Sequence, residues 1–127
     1  MRIASPTLTG GGSDNVTVIR GALGTVTTTH DANSLIRKIY GKDIHITGGF
    51  SNVSFGMPAR HLINNVFLRL SMEAGADSAI IDPITSNINS VATINESSES
   101  YKTTEDLLLG KDEFCVQFLK SFRAGKL

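Results

Sequence analysis

The chain has few of the residues that carry ionic or redox chemistry. Its one cysteine, Cys115, has no partner for an internal disulfide, so oxidation has no structural role here. Phe114, Phe118, Leu119 and Phe122 surround Cys115 at helical spacing, which predicts a core position rather than a reactive thiol. The three histidines, His30, His45 and His61, share no local ligand spacing and have no cysteine neighbours, so no bound metal is expected. Twelve basic and twelve acidic residues cancel, leaving no overall field to draw the protein to nucleic acid or to a membrane. No apolar run approaches the ~18 residues of a membrane span. The opening "MRIASPTLTGGGSDN" has no apolar segment of the kind a secretory signal needs, so a cytoplasmic location is expected. Within it, "TGGGSD" lacks the Gly-Lys-Ser/Thr ending of a phosphate loop and precedes a strand pattern rather than a helix.

What is present is a 127-residue chain, 40% hydrophobic with mean hydropathy near zero, enough for one modest domain. Charged residues make up 19%, slightly below the usual quarter, which suggests a surface partly covered by more chain or by a partner subunit. Residues 1–15 read as a loose segment rich in turn-formers, and residues 16–127 as the domain. "VTVIRGALGTVT" from Val16 predicts a strand with a kink. Thr29, His30 and Asp31 offer helix-start chemistry, Leu35, Ile36 and Ile39 share one face, and Gly41 ends that helix. "DIHITGGF" alternates as a strand. A long helix beginning near Pro58 carries Leu62, Ile63, Val66, Phe67, Leu70 and Ala74 on one stripe, with His61, Asn65, Arg69 and Glu73 opposite, and closes at Gly75.

"DSAIID" predicts a short buried strand stopped by Pro83. A Ser/Asn-rich stretch, residues 86–100, leaves a helix possible. "TTEDLLLG" predicts a helix that begins at Thr103 or Thr104 and ends at Gly110. The last stretch predicts an amphipathic helix capped by Asp112 and ended by Gly125. Strands alternating with helices argue for a parallel sheet with helical crossovers. Three such units leave long strand edges open, which predicts self-association or marginal stability. A closed barrel of eight units needs about 250 residues, so the chain is about half of one.

The loop "GGFSNVSFGMPAR" after the second predicted strand has no histidine–carboxylate pair and no lysine. Asn52 lies in it among small residues. Turn formation is the usual use of such an asparagine, yet Gly48, Gly49 and Gly56 already supply the backbone freedom. Arg60, a cation in a first helical turn, opposes the helix dipole by roughly 0.3–1 kcal/mol, so either a structural carboxylate or an anionic ligand should compensate it. Asp82 reads as a turn-forming carboxylate. It also sits where barrel strands deliver active groups, at their C-terminal ends.

"GGFSNVSFGMPARHLINNVFLRLSMEAGADSAIIDP" closely resembles the signature of the pterin-binding methyltransferases, which move a methyl group between methyltetrahydrofolate and a corrinoid protein. The folate module of cobalamin-dependent methionine synthase is similar, and "LLLGKDEFCVQFLKSFRAGKL" looks like the end of the same family. The resemblance covers Gly48 to Asp82 and Leu107 to Leu127, and is weaker from Val16 to Gly41. It implies an α/β fold, the C-terminal part (about three βα units) of a dihydropteroate synthase-like TIM (β/α)8 barrel that binds the pterin at its C-terminal mouth. Asn52 matches the asparagine that reaches the methyl-bearing ring nitrogen, and so the catalytic position. Gly49, Ser51 and Arg60 match neighbouring folate-site positions, with Ser54 and Asp82 beside them. Phe55 stands where some relatives carry a polar residue. The implied substrate is methyltetrahydrofolate or tetrahydrofolate, with the corrinoid (cobalamin) carried by a partner protein. The family's other pterin-binding residues come from earlier strands, so a homo-oligomer or a complementing N-terminal half would have to supply them. A non-catalytic truncated fragment is the competing expectation, and a dihydropteroate synthase relative a third.

Overall fold

A computed structural model describes residues 26–127 apart from 83, 85 and 86, with side chains described from residue 33 onward. The strand expected from Val16, the loose segment before it and the side chain of His30 lie outside the described residues. The elements are α1 (Val26–Tyr40), β1 (Thr47–Gly49), α2 (Arg60–Glu73), β2 (Ser78–Ile80), α3 (Ile88–Ala92), α4 (Glu99–Leu108) and α5 (Val116–Arg123). Two 3-10 turns, Asn52–Ser54 and Glu113–Cys115, lie between them. Strands β1 and β2 pair in parallel, Thr47 with Ser78, Gly48 with Ala79 and Gly49 with Ile80, with α2 as the crossover. This small parallel sheet among helices is the α/β pattern the alternation of elements calls for.

Period-two alternation gives the sheet two unlike faces. On one face Ile46 and Phe50 are buried, and the Phe50 ring packs against Phe67 of α2 at 5.4 Å between centroids and 56° between planes. Gly48 eases this packing, because a Cβ there would stand 3.3 Å from the Phe50 ring and press on it. On the other face Thr47, Gly49, Ser78 and Ile80 are all exposed, Ile80 at 72%. The expected burial of "DSAIID" therefore fails at β2, whose three paired residues are all open. A strand is buried by its neighbours, and among the described residues β2 pairs only with β1.

Helix α2 is the central strut, packed against α1, α3, α4 and the Asn52–Ser54 turn. Its buried residues Ile63, Val66, Phe67 and Leu70 follow the expected stripe, and burial extends further, to Asn64, Leu68 and Ser71. The polar side also faces protein. The Asn65 amide nitrogen donates to Ser90 Oγ at 3.2 Å, and Arg69 pairs with Glu73 at 3.0 Å and Glu96 at 2.7 Å. These contacts bring the segments of α3 and α4 onto α2.

Two helix starts differ from expectation. Helix α1 is described from Val26, before Thr29–Asp31; the β-branched residues there cost a helix only a few tenths of a kcal/mol each. Helix α4 begins at Glu99 rather than near Thr103. Ser98 Oγ accepts the Tyr101 N–H at 3.1 Å and forms the cap, while Thr104 is buried inside the helix with its hydroxyl donating to Ser100 O at 2.7 Å. The expected C-terminal ends hold at Gly41 and Gly75, both in the left-handed region.

Cys115, not Asp112, holds the N-cap position of α5, yet the Asp112 carboxylate reaches over the intervening turn and accepts the Gln117 and Phe118 N–H groups at 3.0 and 2.8 Å. The residues between do not continue the helix. Phe114 and Cys115 take left-handed φ of 55° and 59°, which turns the Phe114 ring out to 91% exposure while Phe118 is fully buried. Cys115 is thus half-buried beside this turn rather than set among four core neighbours.

At the N-terminal end of the sheet one ionic node joins three elements. Arg37 donates from Nη1 to Gly41 O (2.8 Å) and Ile44 O (2.9 Å), and from Nη2 to Gly75 O (2.6 Å) and Asp77 Oδ2 (3.1 Å). Asp77 Oδ1 accepts the Ile46 N–H at 3.0 Å, and its Oδ2 lies 3.2 Å from His45 Nδ1. Burial alone would push the Asp77 carboxyl up. The Ile46 amide, Arg37 and His45 outweigh it and hold the group below its ordinary value.

A carboxyl depressed in the folded state stabilises above its unfolded pKa, and that contribution disappears as pH falls through the folded value. Urea midpoints measured downward from pH 6 should therefore fall more steeply below about pH 4 in the parent chain than in Asp77→Asn. The core assignment predicts that Phe118→Ala lowers stability by about 3–5 kcal/mol. Phe114→Ala should change it by less than about 0.5 kcal/mol, read by the same denaturation curves.

Candidate functional site

The loop that follows β1 is shaped by its own hydrogen bonds. Phe50 leaves the sheet with its N–H still on Ile80 O at 3.3 Å, and Asn52–Ser54 then turn as a single 3-10 turn. The Phe55 N–H closes on Asn52 O at 3.2 Å and the Met57 N–H on Ser54 O at 3.0 Å. Gly56, at φ 77°, makes the reversal that a side chain would resist. Helix α2 then starts behind Ala59, itself left-handed at φ 51° and giving no side-chain cap.

Ser54 is fully buried, and its Oγ donates to Ser51 O at 3.1 Å. Arg60 reaches back from the first turn of α2, with Nε donating to Ser54 Oγ at 3.1 Å and Nη2 to Ser51 O at 3.2 Å. Within the described loop Arg60 thus meets a pair of neutral oxygens rather than a structural carboxylate.

Asn52 is exposed, and among the described residues the loop's internal hydrogen bonds do not use its side-chain amide. Phe55 is 84% exposed three residues further on. Gly49 is exposed on the open face of the sheet. Ser51, Asn52, Ser54 and Arg60 are therefore gathered into one loop at the C-terminal end of β1, with Gly49 in the ladder just before them. Asp82 follows β2, where its Oδ1 accepts the Ile84 N–H at 3.0 Å, the turn-forming geometry its position before Pro83 suggests.

A bare carboxamide offers one face that donates and one that accepts. The loop can therefore meet either a donor or an acceptor atom, without an ionisable base of its own. No group of histidine, cysteine and carboxylate residues suited to a metal occurs among the described residues. Burial and the Asp112 charge push the Cys115 thiol up from its ordinary value, away from the reactive thiolate. A cavity of about 560 Å³ opens elsewhere, between α4 and α5, lined by Glu99, Asp106, Asp112, Glu113 and Gln117 and by none of the loop residues. No helix among the described residues is long and apolar enough to cross a membrane.

What sequence reasoning missed is the role of Ser54 and Ser51 as the acceptors for Arg60. The available signal was an arginine in an unfavourable first turn shortly after two serines. The Arg37–Asp77 node was missed as well, since its partners lie 40 residues apart.

No family model matches the chain. Over 92 residues it is 45% identical to methylcorrinoid:tetrahydrofolate methyltransferase of Eubacterium limosum, covering 72% of this chain and 30% of that relative. Over 41 residues it is 51% identical to methionine synthase of Mycobacterium tuberculosis, covering 31% of this chain and 3% of that relative. The chain thus spans about a third or less of the curated relatives it matches. These likenesses support the methyltetrahydrofolate:corrinoid protein methyltransferase family, and the partial coverage fits a C-terminal portion of such a protein.

Proposed function

We propose that the chain supplies one part of a folate site for methyl transfer between methyltetrahydrofolate and a corrinoid protein, on the C-terminal sector of a TIM (β/α)8 barrel. The observation that carries this reading is Asn52, exposed at the C-terminal end of β1 with its amide outside the loop's internal bonds. The relatives' names supply the substrate and the kind of partner. The open sheet face of Thr47, Gly49, Ser78 and Ile80 supports the rest, being the surface an eight-stranded barrel would turn inward. Strands from a second polypeptide or a second copy of the chain would cover it and bring the remaining pterin-binding groups.

In the reaction a methyl–nitrogen bond breaks and a methyl–cobalt bond forms, or the reverse. The corrinoid, held by the partner protein, supplies the nucleophile in one direction and the methyl donor in the other. A tertiary amine nitrogen leaves poorly unless it gains a proton or a strong hydrogen bond. Asn52 is the catalytic residue in this reading. Its carboxamide donates to the nitrogen as electron density builds there, and can present its oxygen once the nitrogen carries hydrogen. Gly49 and Ser51 let the ring approach closely, Arg60 and Ser54 belong to the same site, and Asp82 lies at the end of the neighbouring strand. Positioning, rather than a covalent intermediate, accounts for most of the rate. No ionisable base is needed in the loop.

Methyltetrahydrofolate titrated into the chain, with and without the part of the Eubacterium limosum relative that lies outside the matched region, tests this. The account expects weak binding by the chain alone and strong binding with the complement. Asn52→Ala in the complemented protein should slow transfer to cobalamin about 10²–10³-fold, the usual cost of removing one such donor. No binding even with the complement, or an Asn52→Ala variant as active as the parent, would favour a non-catalytic fragment. Condensation of a pterin pyrophosphate with para-aminobenzoate would favour a dihydropteroate synthase relative.

A further inference from the structure

Arg60 and Ser54 have a geometry that goes beyond membership of a binding site. The single proton of the Ser54 hydroxyl is committed to Ser51 O, and its lone pair takes Arg60 Nε. The guanidinium closes the figure by donating from Nη2 to the same Ser51 carbonyl. The three groups form a ring across the turn that contains Asn52 and Val53. The Phe55 N–H fixes the Asn52 carbonyl from the other side. Asn52 is thus held at its backbone while its carboxamide stays exposed.

The ring is tied to the central, buried helix of the fold. Arg60 is the first residue of α2, whose Ile63, Val66, Phe67 and Leu70 are buried in the core. Ser54 is wholly buried, so its hydroxyl is shielded from solvent, and its bond to Arg60 Nε is part-buried. A side chain that must meet a ring nitrogen within a few tenths of an ångström needs support from a rigid element. Here that support runs from α2 through the guanidinium and the Ser54 hydroxyl to the Ser51 carbonyl.

We propose that Arg60 and Ser54 are positioning residues that clamp the Asn52 turn to α2, and that Arg60 serves the site in this way rather than as a cation for the ligand's anionic tail. This rests on the reading of the Asn52 loop as part of a folate site. It makes Ser54 and Arg60 one functional unit, because removing either opens the same ring.

The experiment compares Ser54→Ala, Arg60→Ala, the double variant and Asn52→Ala in the full chain, with transfer assayed after complementation. Amide hydrogen exchange at Phe55 and Met57 reads the clamp without any ligand. Transfer from 5-methyltetrahydrofolate and from 5-methyltetrahydropterin, which lacks the anionic tail, reads its use. The proposal expects exchange at both amides to accelerate at least tenfold in each single variant. Transfer should fall about tenfold or more with both donors, mainly in kcat, and the double variant should be no worse than the worse single one. Unchanged exchange in Ser54→Ala and Arg60→Ala would overturn it outright. An Arg60→Ala defect confined to the tailed donor would overturn it in favour of an anion ligand. Should Asn52→Ala impair transfer while the clamp variants do not, the positioning claim alone fails. Should Asn52→Ala transfer normally, the folate reading fails and takes the proposal with it.

Discussion

The Asp77 carboxylate sets the register on which the rest of the structure depends. It takes the Ile46 N–H just before β1 while standing one residue before β2, and Arg37 joins that pair to the C-terminal turns of α1 and α2. A one-residue slip of β1 would turn Ile46 and Phe50 outward and leave the Phe50–Phe67 contact unmade. With the register held, Phe50 fixes the sheet on α2, and the chain leaving Phe50 must fold its next turn against the start of that helix. The loop that carries Asn52 is therefore placed from the opposite end of the strand.

Ionic and neutral groups are accordingly segregated along the sheet. The ionic groups, Arg37, His45 and Asp77, sit at the N-terminal end. The C-terminal end holds a loop of neutral side chains and one arginine whose hydrogen bonds are made to neutral oxygens. In the proposed barrel this would be the division between a mouth that holds the fold and one that acts. It also explains why a loop without an ionisable base is no obstacle to the proposed transfer. In the proposed reaction the developing charge on a ring nitrogen calls for an oriented dipole, which the proposed clamp from α2 would orient.

Features that depend on one local property were legible in the sequence. Helices end before Gly41, Gly75, Gly110 and Gly125 because the residue after a helix must turn left-handed, and glycine does so without strain. The apolar stripe of α2 was legible for the same reason. Features that depend on choosing among many local options were not. The stretch before α4 offers a serine, threonine or asparagine at nearly every start, and only packing selects Ser98. Burial of β2 depends on neighbouring strands, and the outward turn of Phe114 on a backbone handedness that periodicity does not encode. At the site, the resemblance named the loop, but the ring between Ser51, Ser54 and Arg60 is a matter of side-chain direction and emerges only in three dimensions.

The central claim is that the Asn52 loop is one wall of a folate site. The most direct measurement is a nitrogen-edited NMR titration of the labelled chain with methyltetrahydrofolate, following backbone amides and asparagine side-chain amides together. The account predicts shifts concentrated at Gly49, Ser51 and the Asn52 carboxamide, with the α4–α5 cavity silent. Shifts that cluster at Glu99, Asp106 and Gln117 instead, or an Asn52 carboxamide unmoved at saturating ligand, would contradict it.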